Sequence, residues 1–326
     1  MLNKNLLNSV FAFGGPSNWN KKDKDSIQLM DKIIQDKQLI HSCYDYGGHL
    51  EFVRESALRN NLPISLIIKC YLNYPKINSI RRRSICYQIE RVLKFFEGLE
   101  VKLIPQISSI KNFSTNNLEI FIKKASRDYL IENLLIETFP EAETSSLKLM
   151  QELMKVKKCL NLNNELNLGF IAYENINQYG FTKELKRFIY KNKLLYAPMR
   201  VIGNKKDKKS IEMAKNKLIK EMEYEGFYAA ITQVSNLYQY NDLITFSEIN
   251  FGNNLRNNSK LFLFSDTERK RFPALNAYGL NYKPSLRKKI SALFLYLRFT
   301  LKSFISVLVR RRSFYDLKFI FNTEWL

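Results

Sequence analysis

The chain has 326 residues, a length that suits one large α/β barrel or two ordinary domains. A hydrophobic content of 45% with 23 Phe allows a sizeable core and excludes a globally disordered chain. The formal net charge is +21, and it is loaded toward one end: from Arg269 to Leu326 there are 13 Lys/Arg against two acids, Asp316 and Glu324. Charge distributed in this way points to an anionic surface as partner, membrane or nucleic acid. Cys43, Cys70, Cys86 and Cys159 are scattered with no C-x-x-C, which argues against a disulfide framework or a zinc site and fits reduced thiols. The opening MLNKNLLNSVFAFGGP has no long apolar stretch followed by a small-residue cleavage site. The expected location is therefore cytoplasmic.

In chain order, short apolar runs alternate with helical patterns. Val10-Phe11-Ala12-Phe13 runs into Gly14-Gly15-Pro16, a strand and its turn. Residues 25–35 carry apolar positions at helical spacing, and Leu39-Ile40 begins the next strand. That strand leads into His41-Ser42-Cys43-Tyr44-Asp45-Tyr46-Gly47-Gly48-His49, which holds both histidines of the chain. A helix over 51–60, a buried strand over 64–70 and a helix over 81–96 that Gly98 ends come next. VKLIPQI (101–107) reads as a strand whose end Pro105 weakens. Further strands are expected at 133–139, 166–174, 194–199 and 242–247, with helices at 117–125, 147–156, 182–190 and 209–225.

Eight strands alternating with helices in roughly 260 residues predict an α/β chain folded as a (β/α)8 TIM barrel. An open doubly wound sheet is the competitor. No G-x-G-x-x-G follows the first strand, however, and no G-x-x-x-x-G-K-[ST] occurs. The expected division is a barrel over 8–256, a linker over 257–284 and a basic amphipathic helical tail over 285–326.

Several strand ends, taken in order, resemble the aldo/keto reductases, NADP-dependent (β/α)8 enzymes. His41-Ser42-Cys43-Tyr44-Asp45-Tyr46-Gly47 is similar to that family's Asp-Thr-Ala-x-x-Tyr-Gly after the second strand. Ser65-Leu66-Ile67-Ile68-Lys69 matches a third strand ending in lysine, and Leu195-Tyr196-Ala197-Pro198-Met199 resembles Ala-Tyr-Ser-Pro-Leu of the seventh. VFAFGGPSNW (10–19) is similar to the first strand and its glycine-rich exit, and ITFSEINFGNNL (244–255) to the last strand and its helix. The resemblance implies hydride transfer between NADP(H) and a small carbonyl substrate. Tyr46 would be the proton donor and Lys69 the cation that tunes it, since free tyrosine has a pKa of about 10. Tyr196 would stack on the nicotinamide.

The departures from that pattern are specific. His41 stands where the family has the aspartate that pairs with the lysine, and an imidazole does not supply a carboxylate's charge. The family's fourth-strand histidine falls near Pro105-Gln106 by strand count. In a second register, in which YLIENLLIETFP (129–140) is aligned with the family strand, it falls at Glu137. After the expected eighth strand stands Phe246-Ser247-Glu248 in place of phosphate-binding basic residues. These departures leave three functions open. One is a divergent reductase; another is a catalytically degenerate barrel serving as a binding or scaffold subunit near membrane-linked glycan enzymes; the last is a different barrel chemistry using Glu137 or Asp45 with Lys69. His41 and His49 have no third ligand in sequence reach, so no metal site is expected. The basic runs Arg81-Arg82-Arg83 and Lys205-Lys206 lack interleaved aromatics, so nucleic acid is not the expected partner.

The tail is acid-free from Ser285 to Tyr315. Twenty residues separate Lys289 from Arg310, long enough to span a bilayer, but Arg298 and Lys302 sit in the middle. Each would cost about 2.5–3.5 kcal/mol at the centre of a spanning helix. Leu293, Leu297, Phe304 and Leu308 with Arg310-Arg311-Arg312 instead suit an interfacial helix. The expected partner of residues 285–312 is an anionic membrane surface, placing the chain peripherally on the inner membrane face.

Overall fold

The computed structural model describes residues 10–251 apart from 15–23, 44–48, 72–83, 109–114, 140–141, 163–164, 174–181 and 200–207. Among these residues eight strands alternate with eight helices. The order is β1 (Phe11–Gly14), α1 (Lys24–Gln35), β2 (Leu39–Cys43), α2 (His49–Asn60), β3 (Ile64–Tyr71), α3 (Ile85–Phe95), β4 (Val101–Ser108) and α4 (Thr115–Arg127). It continues with β5 (Asn133–Thr138), α5 (Glu143–Cys159), β6 (Asn167–Tyr173), α6 (Lys183–Lys191), β7 (Leu195–Met199), α7 (Lys208–Met222), β8 (Ala230–Gln233) and α8 (Leu237–Phe251).

All eight strands are parallel and pair in sequence order, and β8 returns to β1 with Phe11 opposite Ala230 and Gly14 opposite Gln233. The sheet is thus a closed barrel, the (β/α)8 architecture expected from the alternation. Side chains alternate across its wall. Ala12, Leu39, Ile67, Ile104, Leu135, Ile171, Ala197 and Ile231 form a cluster inside the barrel, one from each strand. Their neighbours in sequence, among them Phe13, Ile40, Leu66, Leu103, Ile136, Phe170 and Ala230, belong to a larger cluster with the helices. Each fully buried aliphatic side chain contributes about 1.5–3 kcal/mol relative to exposure. At Gly169, which faces Leu195 across β6 and β7, an added Cβ would collide with the Leu195 side chain and carbonyl. Glycine is required there by the close approach of the two strands.

The turns from helix to strand share one solution. Lys37, Asn61, Asn161 and Lys193 take φ between 50° and 56° just after α1, α2, α5 and α6. In each case two reversed hydrogen bonds close the helix end, as in Lys37 N–H to the Ile34 carbonyl and Gln38 N–H to that of Ile33. The last helical carbonyls are thereby satisfied within two residues, and the chain enters the next strand immediately after α1, α2 and α6.

Two local expectations are corrected. Pro105 lies inside β4, opposite Ile68 in an unbroken ladder with β3, while pairing with β5 starts only at Gln106. Residues 242–247, expected as the eighth strand, are helical within α8. Their Ile-Thr-Phe run resembles a strand locally, but the buried positions Tyr240, Leu243 and Ser247 recur at helical spacing. The strand that closes the barrel is the four-residue Ala-Ile-Thr-Gln segment before them.

Candidate functional site

The carboxyl end of the barrel collects a compact polar group. Following Ile67, Lys69 takes the next interior position of β3; Gln106 does so after Ile104 on β4, and Glu137 after Leu135 on β5. His41 follows Leu39 in the same way on β2. Two bonds tie these four side chains together, each reaching over an intervening strand. His41 Nε2 lies 2.7 Å from Gln106 Oε1, joining β2 to β4, and Lys69 Nζ donates to Glu137 Oε1 at 2.9 Å, joining β3 to β5. Alternate strands thus supply successive layers, as barrel interiors are built.

The group is mostly buried. His41 and Gln106 are 3% and 0% exposed, whereas the Lys69 and Glu137 side chains retain 18% and 8%. The ion pair is the part of the group that keeps some exposure. Burial drives the His41 pKa down to about 4, and the Lys69 charge adds to this, against the Gln106 bond and the Glu137 charge. The ring is neutral at pH 7. His49, at the start of α2, bonds Ser42 Oγ through Nδ1 at 2.7 Å, and burial, followed by the His41 charge, brings its pKa to about 3. Ser42 is 0% exposed and sits on the outer side of β2, so this serine–histidine contact pins α2 to the wall and is not a nucleophile in reach of solvent.

The sequence-derived residues separate as follows. His41 and Lys69 meet in the cluster. Tyr46 lies outside the described residues, three positions after Cys43. Tyr196 is 3% exposed and belongs to the outer cluster between strand and helices, so the structure does not bring it to His41 and Lys69. Gln106 on the fourth strand and Glu137 on the fifth both reach the mouth, so the two registers weighed from sequence describe two residues of one site. The carboxylate partner of Lys69, absent at position 41, is supplied by Glu137 across the barrel.

The fit to NADP(H) is poor among the described residues. The chain leaving β8 is Val234-Ser235-Asn236, and Phe246-Ser247-Glu248 lies far along α8 instead. At the α8 start, Ser235 N–H donates to Gln239 Oε1 at 2.8 Å and Gln239 N–H to Asn236 Oδ1 at 2.9 Å. This cap takes up two of the backbone N–H groups at the helix start. Residues 237–242 contain no Lys or Arg, and the nearby Lys215 is paired with Asp242 at 2.6 Å. Also among the described residues, no group of three or more His, Cys, Asp and Glu side chains could hold a metal ion, and no helix is long and apolar enough to cross a membrane.

No family model matches the chain, and no curated protein matches it. Among solved structures, it is similar to 3-keto-D-glucoside 4-epimerase from E. coli in its apo form. That likeness has 10% identity and a TM-score of 0.44, over 74% of this chain and 99% of the other. The barrel assignment rests on the strand pairing itself.

Proposed function

We propose that the chain is an enzyme acting on a small carbonyl compound at the carboxyl-end mouth of its barrel, with Lys69 and Glu137 as the working pair. The observation that carries this reading is the 2.9 Å ion pair between them, which keeps some exposure where His41 and Gln106 are buried. An ammonium beside a carbonyl oxygen stabilises negative charge developing there, and a carboxylate within reach can take a proton from the adjacent carbon. In that step the C–H bond breaks, the proton passes to Glu137, and the electron pair moves toward the oxygen that Lys69 faces. By the resemblance to aldo/keto reductases, Tyr46 is the group that protonates a carbonyl oxygen, with Lys69 as the tuning cation and Glu137 in the carboxylate's place. NADP(H) would supply the hydride in that version. No step is assigned through it, because the described residues at the β8 exit include no Lys or Arg for its phosphates. Residues 285–312, outside the described residues, are proposed to hold the enzyme on an anionic membrane surface.

The test is to add NADPH and a panel of small aldehydes and ketones to the full chain, following nucleotide fluorescence and absorbance together with loss of the carbonyl. Weak nucleotide binding is expected, along with a carbonyl turnover that Tyr46→Phe lowers by about 100-fold or more if Tyr46 is the proton donor. Micromolar or tighter NADPH binding contradicts the reading of the β8 exit. Turnover unchanged in the Tyr46 variant removes the reductase version and leaves the Lys69–Glu137 chemistry.

A further inference from the structure

Two buried polar atoms on one row of the barrel wall have no hydrogen-bond partner among the described residues: Gln106 Nε2 and Ser108 Oγ. Their residues are 0% and 1% exposed. Both follow Ile104 at alternate positions of β4 and share its interior side. Thr138 and Thr232 also carry unpartnered hydroxyls, but they alternate with interior residues and lie on the outer side; Ser65 is at the opposite end of the barrel, near the start of β3.

The orientation of Gln106 follows from its neighbour. As placed, its Oε1 faces His41 Nε2 at 2.7 Å and accepts from it, the ring being in the Nε2–H tautomer. Burial keeps that imidazole neutral, so with the amide oxygen facing it the single ring proton sits on Nε2. Gln106 Nε2 is thereby turned away from His41 on the interior side, where its register partner is Lys69. A buried donor with no acceptor is costly, and native proteins rarely keep one without a use.

We propose that the mouth binds a neutral hydroxycarbonyl compound of four or more carbons, of the ketose type. Gln106 Nε2 donates to its carbonyl oxygen, and Ser108 Oγ bonds a hydroxyl farther along the same molecule. Length follows from the strand: Gln106 and Ser108 are two residues apart, an advance of about 6.6 Å, so a ligand that meets both spans successive levels of the wall. Neutrality follows from charge: Lys69 is already matched by Glu137 and His41 is neutral, so the group carries no net charge to hold an anion. The substrate class rests on the reading of this mouth as a carbonyl site.

The experiment is ligand-observed NMR and calorimetric titration of the full chain with erythrulose. The controls are 2-butanone, which lacks hydroxyls, erythritol, which lacks the carbonyl, and the anion erythronate. Erythrulose is expected to saturate, with binding weakened about tenfold in both Gln106→Leu and Ser108→Ala, and the controls to remain unsaturated over the same range. Ser108→Ala is small enough to test the row even where the Gln106 variant folds poorly, and the comparison of ligands needs no variant. Equal binding of 2-butanone and erythrulose, tighter binding of erythronate, or erythrulose binding unchanged in Ser108→Ala overturns the substrate class and leaves the carbonyl reading standing. If neither carbonyl binds, both readings fall.

Discussion

Acidification from pH 7 to about 4.5 should remove much of the barrel's stability through two residues. The chain has only two histidines, and both are buried and neutral, with pKa values of about 4 for His41 and about 3 for His49. In the unfolded chain each returns to about 6.5. The folded values are the lower ones, so the unfolded state takes up protons first. Stability is therefore full above pH 6.5 and falls below it, the His41 share until about pH 4 and the His49 share until about pH 3. At pH 4.5 each histidine has crossed about two pH units at about 1.4 kcal/mol per unit, so the pair costs on the order of 5 kcal/mol. That is comparable with the whole stability of many domains. Most carboxylates titrate lower, which leaves this window to the histidines. Urea unfolding followed by circular dichroism at several pH values between 7 and 4.5 measures the effect. The slope should approach two protons per molecule, and His49→Asn should halve it. A flat profile from pH 7 to 5, or a slope unchanged in that variant, refutes the assignment of both histidines as buried and neutral.

Breaking the Lys69–Glu137 pair should be harmful one residue at a time: Lys69→Met or Glu137→Gln alone should cost about 3 kcal/mol, because each strands a largely buried charge. The double variant should be more stable than the sum of the two losses implies, as read by urea unfolding, and strict additivity would mean that the two charges do not interact. For the tail, the full chain should co-sediment with anionic liposomes and be released by high salt, while a chain ending near Asn281 should not bind. Equal binding by the shorter chain, or release of the full chain only by detergent, contradicts an interfacial helix over 285–312.

Seven of the eight strands were legible because each is a short apolar run bounded by turn residues, with a helical pattern on either side. The eighth was not. Ala230–Gln233 is too short to show a period, and the Ile-Thr-Phe run inside α8 imitates a strand until the burial of Tyr240, Leu243 and Ser247 is seen. Lys69 could be placed from sequence because a lysine ending an apolar strand is conspicuous. Its partner could not be fixed, since Glu137 is 68 residues away and only barrel closure and register bring the two together. The His41–Gln106 bond spans 65 residues and has no local signature. Tyr196 matched a motif, but strand alternation turns its ring toward the helices, and a motif match carries no information about which side of the wall a residue faces.

Proton exchange at carbon reports the Lys69–Glu137 chemistry without any cofactor. Erythrulose, or any carbonyl compound found to bind, is incubated with the full chain in D2O without nucleotide, and deuterium at the carbon next to the carbonyl is followed by NMR. Lys69 and Glu137 acting as a pair predict incorporation well above the uncatalysed rate, abolished in Glu137→Gln and strongly reduced in Lys69→Met. Incorporation equal to the enzyme-free control with a ligand that demonstrably binds, or unchanged in Glu137→Gln, would contradict it.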